Sequence, residues 1–144
     1  MNRLKKYRLL FLSIIFVVIA GFFYKEFHRK PADLTRMESV VKQSAASITA
    51  LYEANETQAN QKYLNEIIEV SGPVAEIIKQ QDTFINIMLG SALSMHKVSC
   101  LLDKAHFEKA KNYKVGQQIN IKGICTGFLV DVELNRCVIV DSIP

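Results

Sequence analysis

The sequence predicts a mainly β fold: a five-stranded barrel with a helix between its third and fourth strands, behind an apolar N-terminal segment and a helical spacer. Three observations predict it. Residues 9–24 (LLFLSIIFVVIAGFFY) run without a charge between two basic clusters. Apolar positions from Leu34 to Tyr63 recur at helical spacing. From Glu66 the period falls to two, in five stretches parted by turn residues, with one short helical stretch between the third and fourth.

The N-terminal segment comes first. Arg3, Lys5, Lys6 and Arg8 precede the apolar run, and Lys25, Arg29 and Lys30 follow it. A basic start and an apolar run mean either a cleaved signal peptide or a retained anchor. Val18-Ile19-Ala20 is a poor cleavage pattern and the second basic cluster follows at once, so a retained anchor is expected. Sixteen helical residues reach roughly 24 Å against a hydrocarbon core of ~30 Å. Leu4 and Phe27, with snorkelling Lys and Arg, make up the difference. No cysteine near its end offers a lipid attachment point. The heavier basic cluster before the run places the N-terminus inside. The expectation is a single-pass protein of the inner (cytoplasmic) membrane, its bulk on the periplasmic side.

Charge divides along the same line. The chain carries +4 overall, but residues 1–30 hold seven Lys/Arg against one acid, which is +6. Residues 31–144 hold eleven against thirteen, which is −2. The basicity belongs to the anchor, and the remainder lacks the excess of cations that a phosphate backbone attracts.

Residues 31–64 read as the spacer. Apolar positions 34, 37, 41, 45, 48, 52, 59 and 63 give one helix, kinked near Asn55, with Asp33 or Thr35 as its N-cap and Thr35-x-x-Glu38 as a capping box. Its stripe must pack on something, most simply the domain at 65–144. There, Ile68, Val70, Gly72 and Val74 alternate in a first strand, where Gly72-Pro73 signals a bulge or bend. Gln80-Gln81-Asp82 turns the chain. Ile85, Ile87 and Leu89 then face inward on a second strand, with Phe84, Asn86 and Met88 outward. Gly90 to Ser94 is a loop. Val98 and Cys100 point inward from a third strand, with Lys97 and Ser99 opposite. Asp103 caps a short helix ending near Tyr113. Ile119, Ile121 and Gly123 mark a fourth strand, Gly127 to Asp131 a turn, and Val132 to Val140 a fifth.

Strand, strand, strand, helix, strand, strand is the layout of an OB-fold barrel. An open α+β sheet is the alternative. The ordered set Asn55-Glu56, Ala59, Tyr63, Ile68-x-Val70-x-Gly72-x-Val74, Gly116, Ile121-Lys122-Gly123-Ile124-Cys125-x-Gly127, Asp131-Val132-x-Leu134 and Cys137 resembles the bacterial "tRNA anti-like" OB-fold family over roughly residues 48–140. The resemblance implies an OB fold in small, often membrane-anchored or lipoprotein-like proteins. It supplies no catalytic residues.

Motifs for chemistry are sparse. His28, His96 and His106 are scattered, without Cys or carboxylate partners at ligand spacing, so neither a metal nor another cofactor is expected. Gly123-x-x-x-Gly127 lacks the Lys-Ser/Thr and following helix of a phosphate loop. Asn55-Glu56-Thr57 matches the glycosylation sequon, a pattern short enough for chance. Asp131 and Glu133 share a strand face, as solvated acids do. No nucleophile, base and orienting acid can be assembled, so an enzyme is not expected. Cys100, Cys125 and Cys137 permit one disulfide, but a Cys125–Cys137 rung needs a bulge around Asn135-Arg136. Cys100 with Cys137 is possible, and free thiols are the expectation.

OB domains bind on the outer face of strands two and three. That face offers Phe84, Asn86, Met88, Lys97 and Ser99, rimmed by Gln80, Gln81 and Phe128 to Asp131. One ring and one cation make a thin nucleic-acid platform. The expected function is a membrane-tethered binding module for an envelope protein or small ligand. An oligonucleotide binder is the alternative, and an enzyme with an unrecognised site a further one. The face can also be plain sheet surface or the seat of the spacer helix.

Overall fold

The computed structural model describes residues 34–80 and 84–140, with residues 15, 17, 19–22 and 24 nearer the N-terminus. Those seven are helical. The rest of the apolar run, the Asp33 cap and Gln81-Asp82 lie outside the described residues. Among the described residues no helix is long and apolar enough to cross a membrane. The chain divides into two compact units, Met1–Ala32 and Asp33–Pro144.

The second unit runs β1 (Val41–Ser44), α1 (Ala45–Ala54), α2 (Glu56–Tyr63), β2 (Ile67–Gln80), β3 (Phe84–Leu89), β4 (Val98–Leu102), a 3₁₀ turn (Lys104–His106), α3 (Phe107–Ala110), β5 (Gln118–Phe128) and β6 (Val132–Val140). Strand order is β1-β2-β3-β4-β6-β5, and β5 returns to pair with β2. Strands β2 to β6 thus close the five-stranded barrel that the sequence predicts, with a short helix after its third strand.

The bend at Gly72-Pro73 makes closure possible. Residues 67–73 of β2 pair with β5, and residues 74–80 pair with β3. The register slips between Val74 and Glu76, where the strand changes partner. A bulge there increases twist, which a five-stranded barrel requires. Gly72 also admits the helices: a Cβ on it would stand 3.0 Å from the Cβ of Ala45.

The spacer corrects the expectation. No single helix starts at Thr35, which lies in a turn, and residues 41–44 form β1, parallel to β2 from Val41 opposite Ile68 to Ser44 opposite Ser71. This strand fills the edge that β3, ending at Leu89 opposite Val74, leaves open. An unpaired strand edge is a liability, and Val40-Val41 suits a strand better than a helix. The N-cap is Ser44, whose hydroxyl accepts from the Ser47 N–H at 3.1 Å. Leu34 is buried, but Met37 and Val40 are exposed. The expected break at Asn55 is present. Its N–H closes α1 on the Leu51 carbonyl, and its side chain caps α2 by accepting from Gln58 N–H at 3.0 Å.

Two smaller differences stand in the barrel. The helix expected from Asp103 to Tyr113 is shorter, one 3₁₀ turn and the four residues of α3, although Asp103 does cap it by accepting from Ala105 N–H at 3.0 Å. The last hairpin turns in residues 129–131 alone, because β5 continues through Gly127 at positive φ to Phe128. The bulge at Asn135-Arg136 is real: Lys122 faces Val138 while Ile124 faces Asn135, and Arg136 takes φ +55°. Cys100, Cys125 and Cys137 are nevertheless all free and buried.

Helices and barrel share one core. Ala45, Ile48, Tyr52, Ala59 and Tyr63 are buried with Ile68, Val70, Ile87, Leu89, Val98, Ile121, Leu134 and Ile139. α1 and α2 therefore pack on the barrel, as the apolar stripe requires.

Candidate functional site

Strands β3 and β4 present the outer face on which the sequence places a ligand. Asn86 and Ser99 are half-buried, and Met88 stands directly opposite Ser99. Asn86 Nδ2 donates to Ser99 Oγ at 2.8 Å and lies 3.7 Å from Met88 Sδ. The structure therefore brings these three together as one polar group across the two strands. The buried Asn86 Oδ1 has no hydrogen-bond partner among the described residues. Phe84 opens β3, half-buried and opposite Gln80. Met88 is more deeply set than alternation predicts, at 8% exposed.

Lys97 does not reach outward from this group. It precedes β4, donates from Nζ to the Ser94 carbonyl at 3.1 Å, and donates its backbone N–H to Asp131 Oδ1 at 2.7 Å. One N–H of its ammonium is thus directed to its own loop. Phe128, read as a rim residue, is half-buried against the core. Its ring stacks on Tyr52 at 5.5 Å between centroids and meets His96 edge-on at 5.4 Å.

Tyr52 is the residue that fixes the helices on the barrel, and periodicity alone gives it no role beyond the stripe. Its hydroxyl stands 3.2 Å from Cys125 Sγ, and its ring packs on Tyr63 and Phe128. Burial, then the contact with Cys125, pushes its phenol well above the usual tyrosine range. The helix pair thus seats through Tyr52 on β5, and Ala45 lies over Gly72 of β2. Cys137 is likewise pushed up, by burial and then by the neighbouring Cys100 thiol. Raised, buried thiols are poor nucleophiles.

A separate charged group lies where β1 crosses β2. Glu69 faces Lys122 in the β2–β5 register and pairs with Lys42 at 3.2 Å, while Lys122 Nζ donates to the Met37 carbonyl at 2.9 Å. The Glu69–Lys42 pair and the bond from Lys122 to a backbone carbonyl make a strap holding residues 37–44 to the barrel. Among the described residues no group of three or more His, Cys, Asp and Glu is gathered in metal-binding geometry.

Sequence reasoning counted Leu129 and Val130 only as rim of the β3–β4 face and missed that they join the β3–β4 loop in an apolar tip of the barrel. Leu93 and Met95 in the β3–β4 loop, and Leu129 and Val130 in the β5–β6 loop, are 97, 85, 80 and 69% exposed. The two loops are tied together: His96 Nδ1 donates to the Val130 carbonyl, Lys97 N–H to Asp131, and Val132 N–H to the Lys97 carbonyl at 3.0 Å. The available signal was apolar residues inside stretches that otherwise read as turns.

The tRNA_anti-like family model matches residues 1–139, nearly the whole chain. The chain belongs to the tRNA_anti-like family. No curated protein matches its sequence. Among solved structures, this tRNA_anti-like chain is similar to a "putative nucleic acid-binding lipoprotein" of Klebsiella pneumoniae at 12% identity and TM-score 0.60, over 78% of this chain and 100% of the other. A likeness at that identity shows the shared fold. Asparaginyl-tRNA synthetase of Pyrococcus horikoshii is similar at 15% identity and TM-score 0.40, over 57% of this chain and 21% of that one.

Proposed function

We propose that this tRNA_anti-like protein is a non-enzymatic binding module, tethered in the inner membrane by residues 9–24. Its OB domain lies on the periplasmic side and takes an envelope protein or a small ligand on the β3–β4 face. The observation that supports it is the chemistry of that face: a ring, an amide, a hydroxyl and a thioether, with one cation already bound to its own loop. Phosphate-dominated binding gains its affinity from several cations that each release counterions. This face suits a ligand held by apolar contact and one or two hydrogen bonds. The charged–apolar–charged pattern of residues 1–30 supports the tether.

A second reading, single-stranded nucleic-acid binding, comes with the described role of the Klebsiella lipoprotein. Against it stand the single ring and the net charge of −2 over residues 31–144. Photo-crosslinking tests the first reading. With benzoylphenylalanine in place of Phe84 in the full-length chain, illumination of intact cells is expected to give a discrete adduct. The same group at Lys111, an exposed residue after α3, is expected to give none. Equal labelling at both positions would count against the face.

A further inference from the structure

The exposed tip asks for an explanation that the β3–β4 face does not give. Leu93, Met95, Leu129 and Val130 are largely in water, and Leu64, itself exposed, lies against Gly127 two residues before Leu129. Single exposed aliphatic residues are ordinary, but several on two loops stitched into one unit mark a contact surface. These side chains project from loop ends, and none of the described cavities is lined by them. The acid of the tip, Asp131, is turned back onto its own loops, where its Oδ1 accepts from Lys97 N–H.

We infer that this tip is a membrane-contacting element, with Leu93, Met95, Leu129 and Val130 entering the interfacial region of the bilayer to which the chain is tethered. The inference rests on the tethered reading above and deepens it. The length of the tether chooses the occupant. Ten Cα steps separate Tyr24, at the end of the apolar run, from Leu34, where the second unit is first described. At full extension they reach about 35 Å. Met37 is held at Lys122, and six residues of β5 lead from there to Phe128 at the base of the tip, about 20 Å away. The tip is therefore within reach of the same bilayer and stays at high effective concentration near it. A protruding aliphatic surface that lines no pocket suits acyl chains better than the pocketed centre of a protein interface. Docking there would hold the domain in one orientation instead of leaving it free on its tether.

The chain has no tryptophan, so one introduced indole is the sole such emitter. Leu129→Trp and Leu93→Trp are placed in the full-length protein, reconstituted in vesicles of phosphatidylethanolamine and phosphatidylglycerol with or without brominated acyl chains. Ala105→Trp, in the 3₁₀ turn beyond the opposite end of β4, is the reference. Burial of a few ångströms in the interface is expected to quench Leu129→Trp and Leu93→Trp about twofold, with a blue-shifted emission, and to leave Ala105→Trp unchanged. All three positions are exposed, so these variants leave the core intact. Flotation with the vesicles but no quenching at positions 93 and 129 would overturn the tip while leaving the tether standing. Failure to float would overturn both.

Discussion

Two residues carry more of this fold than their size suggests, and they meet at the centre of the barrel wall. A Cβ on Gly123 would stand 2.6 Å from Cys137 Sγ, 3.2 Å from Leu134 Cβ and 3.3 Å from the Asn135 carbonyl oxygen. Cys137 sits in the bulge that Arg136 creates at φ +55°, so its thiol is pressed into the space that Gly123 vacates. Overpacking a closed core costs about 1–3 kcal/mol. Gly123→Ala is therefore expected to lower stability by about 2 kcal/mol in urea unfolding, and Cys137→Ala to relieve most of that loss in the double variant. Simple additivity of the two changes would show that they do not share this space. The sequence raised the bulge at Asn135-Arg136 only as the condition for a Cys125–Cys137 bond, and the glycine's reason was not legible: the alternating pattern counts Gly123 as one more strand position.

At the scale of elements, the junction at Asn55 decides whether the helices hold their place. One side chain caps α2 while its backbone N–H closes α1, and the helices deliver Tyr52 and Tyr63 to the core. Losing such a cap costs about 1 kcal/mol. Asn55→Ala is expected to lower the unfolding midpoint accordingly and to speed hydrogen exchange in α2 ahead of the barrel strands; uniform exchange throughout would argue against a local role. Gly72-Pro73, the five alternating stretches and the Asp103 cap were all readable, because each rests on a local backbone requirement. Residues 34–44 were misread for the opposite reason. Leu34, Met37 and Val41 fall at helical spacing, but residues 41–44 pair with the open edge of β2, a partner distant in sequence. Alternation puts Phe84, Asn86 and Ser99 on one half-buried face, but it does not show that Met88 is buried beside them. How Lys97 and Phe128 are engaged depends on Ser94, Tyr52 and His96, contacts that no period reveals.

For the molecule as a whole, the division of charge is the feature with the widest consequence. Under the proposed tether the +6 of residues 1–30 lies beside a membrane, while the −2 of residues 31–144 leaves the barrel with little to offer a phosphate backbone. The measurement that tests this most directly is fluorescence anisotropy of labelled single-stranded DNA and RNA. The full-length protein is held in nanodiscs of neutral lipid, across a salt series, beside the Phe84→Ala and Lys97→Glu variants. Any binding by the basic N-terminal segment is common to all three proteins, so the barrel's share is read as their difference. The account predicts the same curves and the same salt slope for all three. Micromolar affinity at physiological salt that falls steeply as salt rises, and that is weakened by Phe84→Ala and Lys97→Glu, would contradict it and make the β3–β4 face a nucleic-acid site.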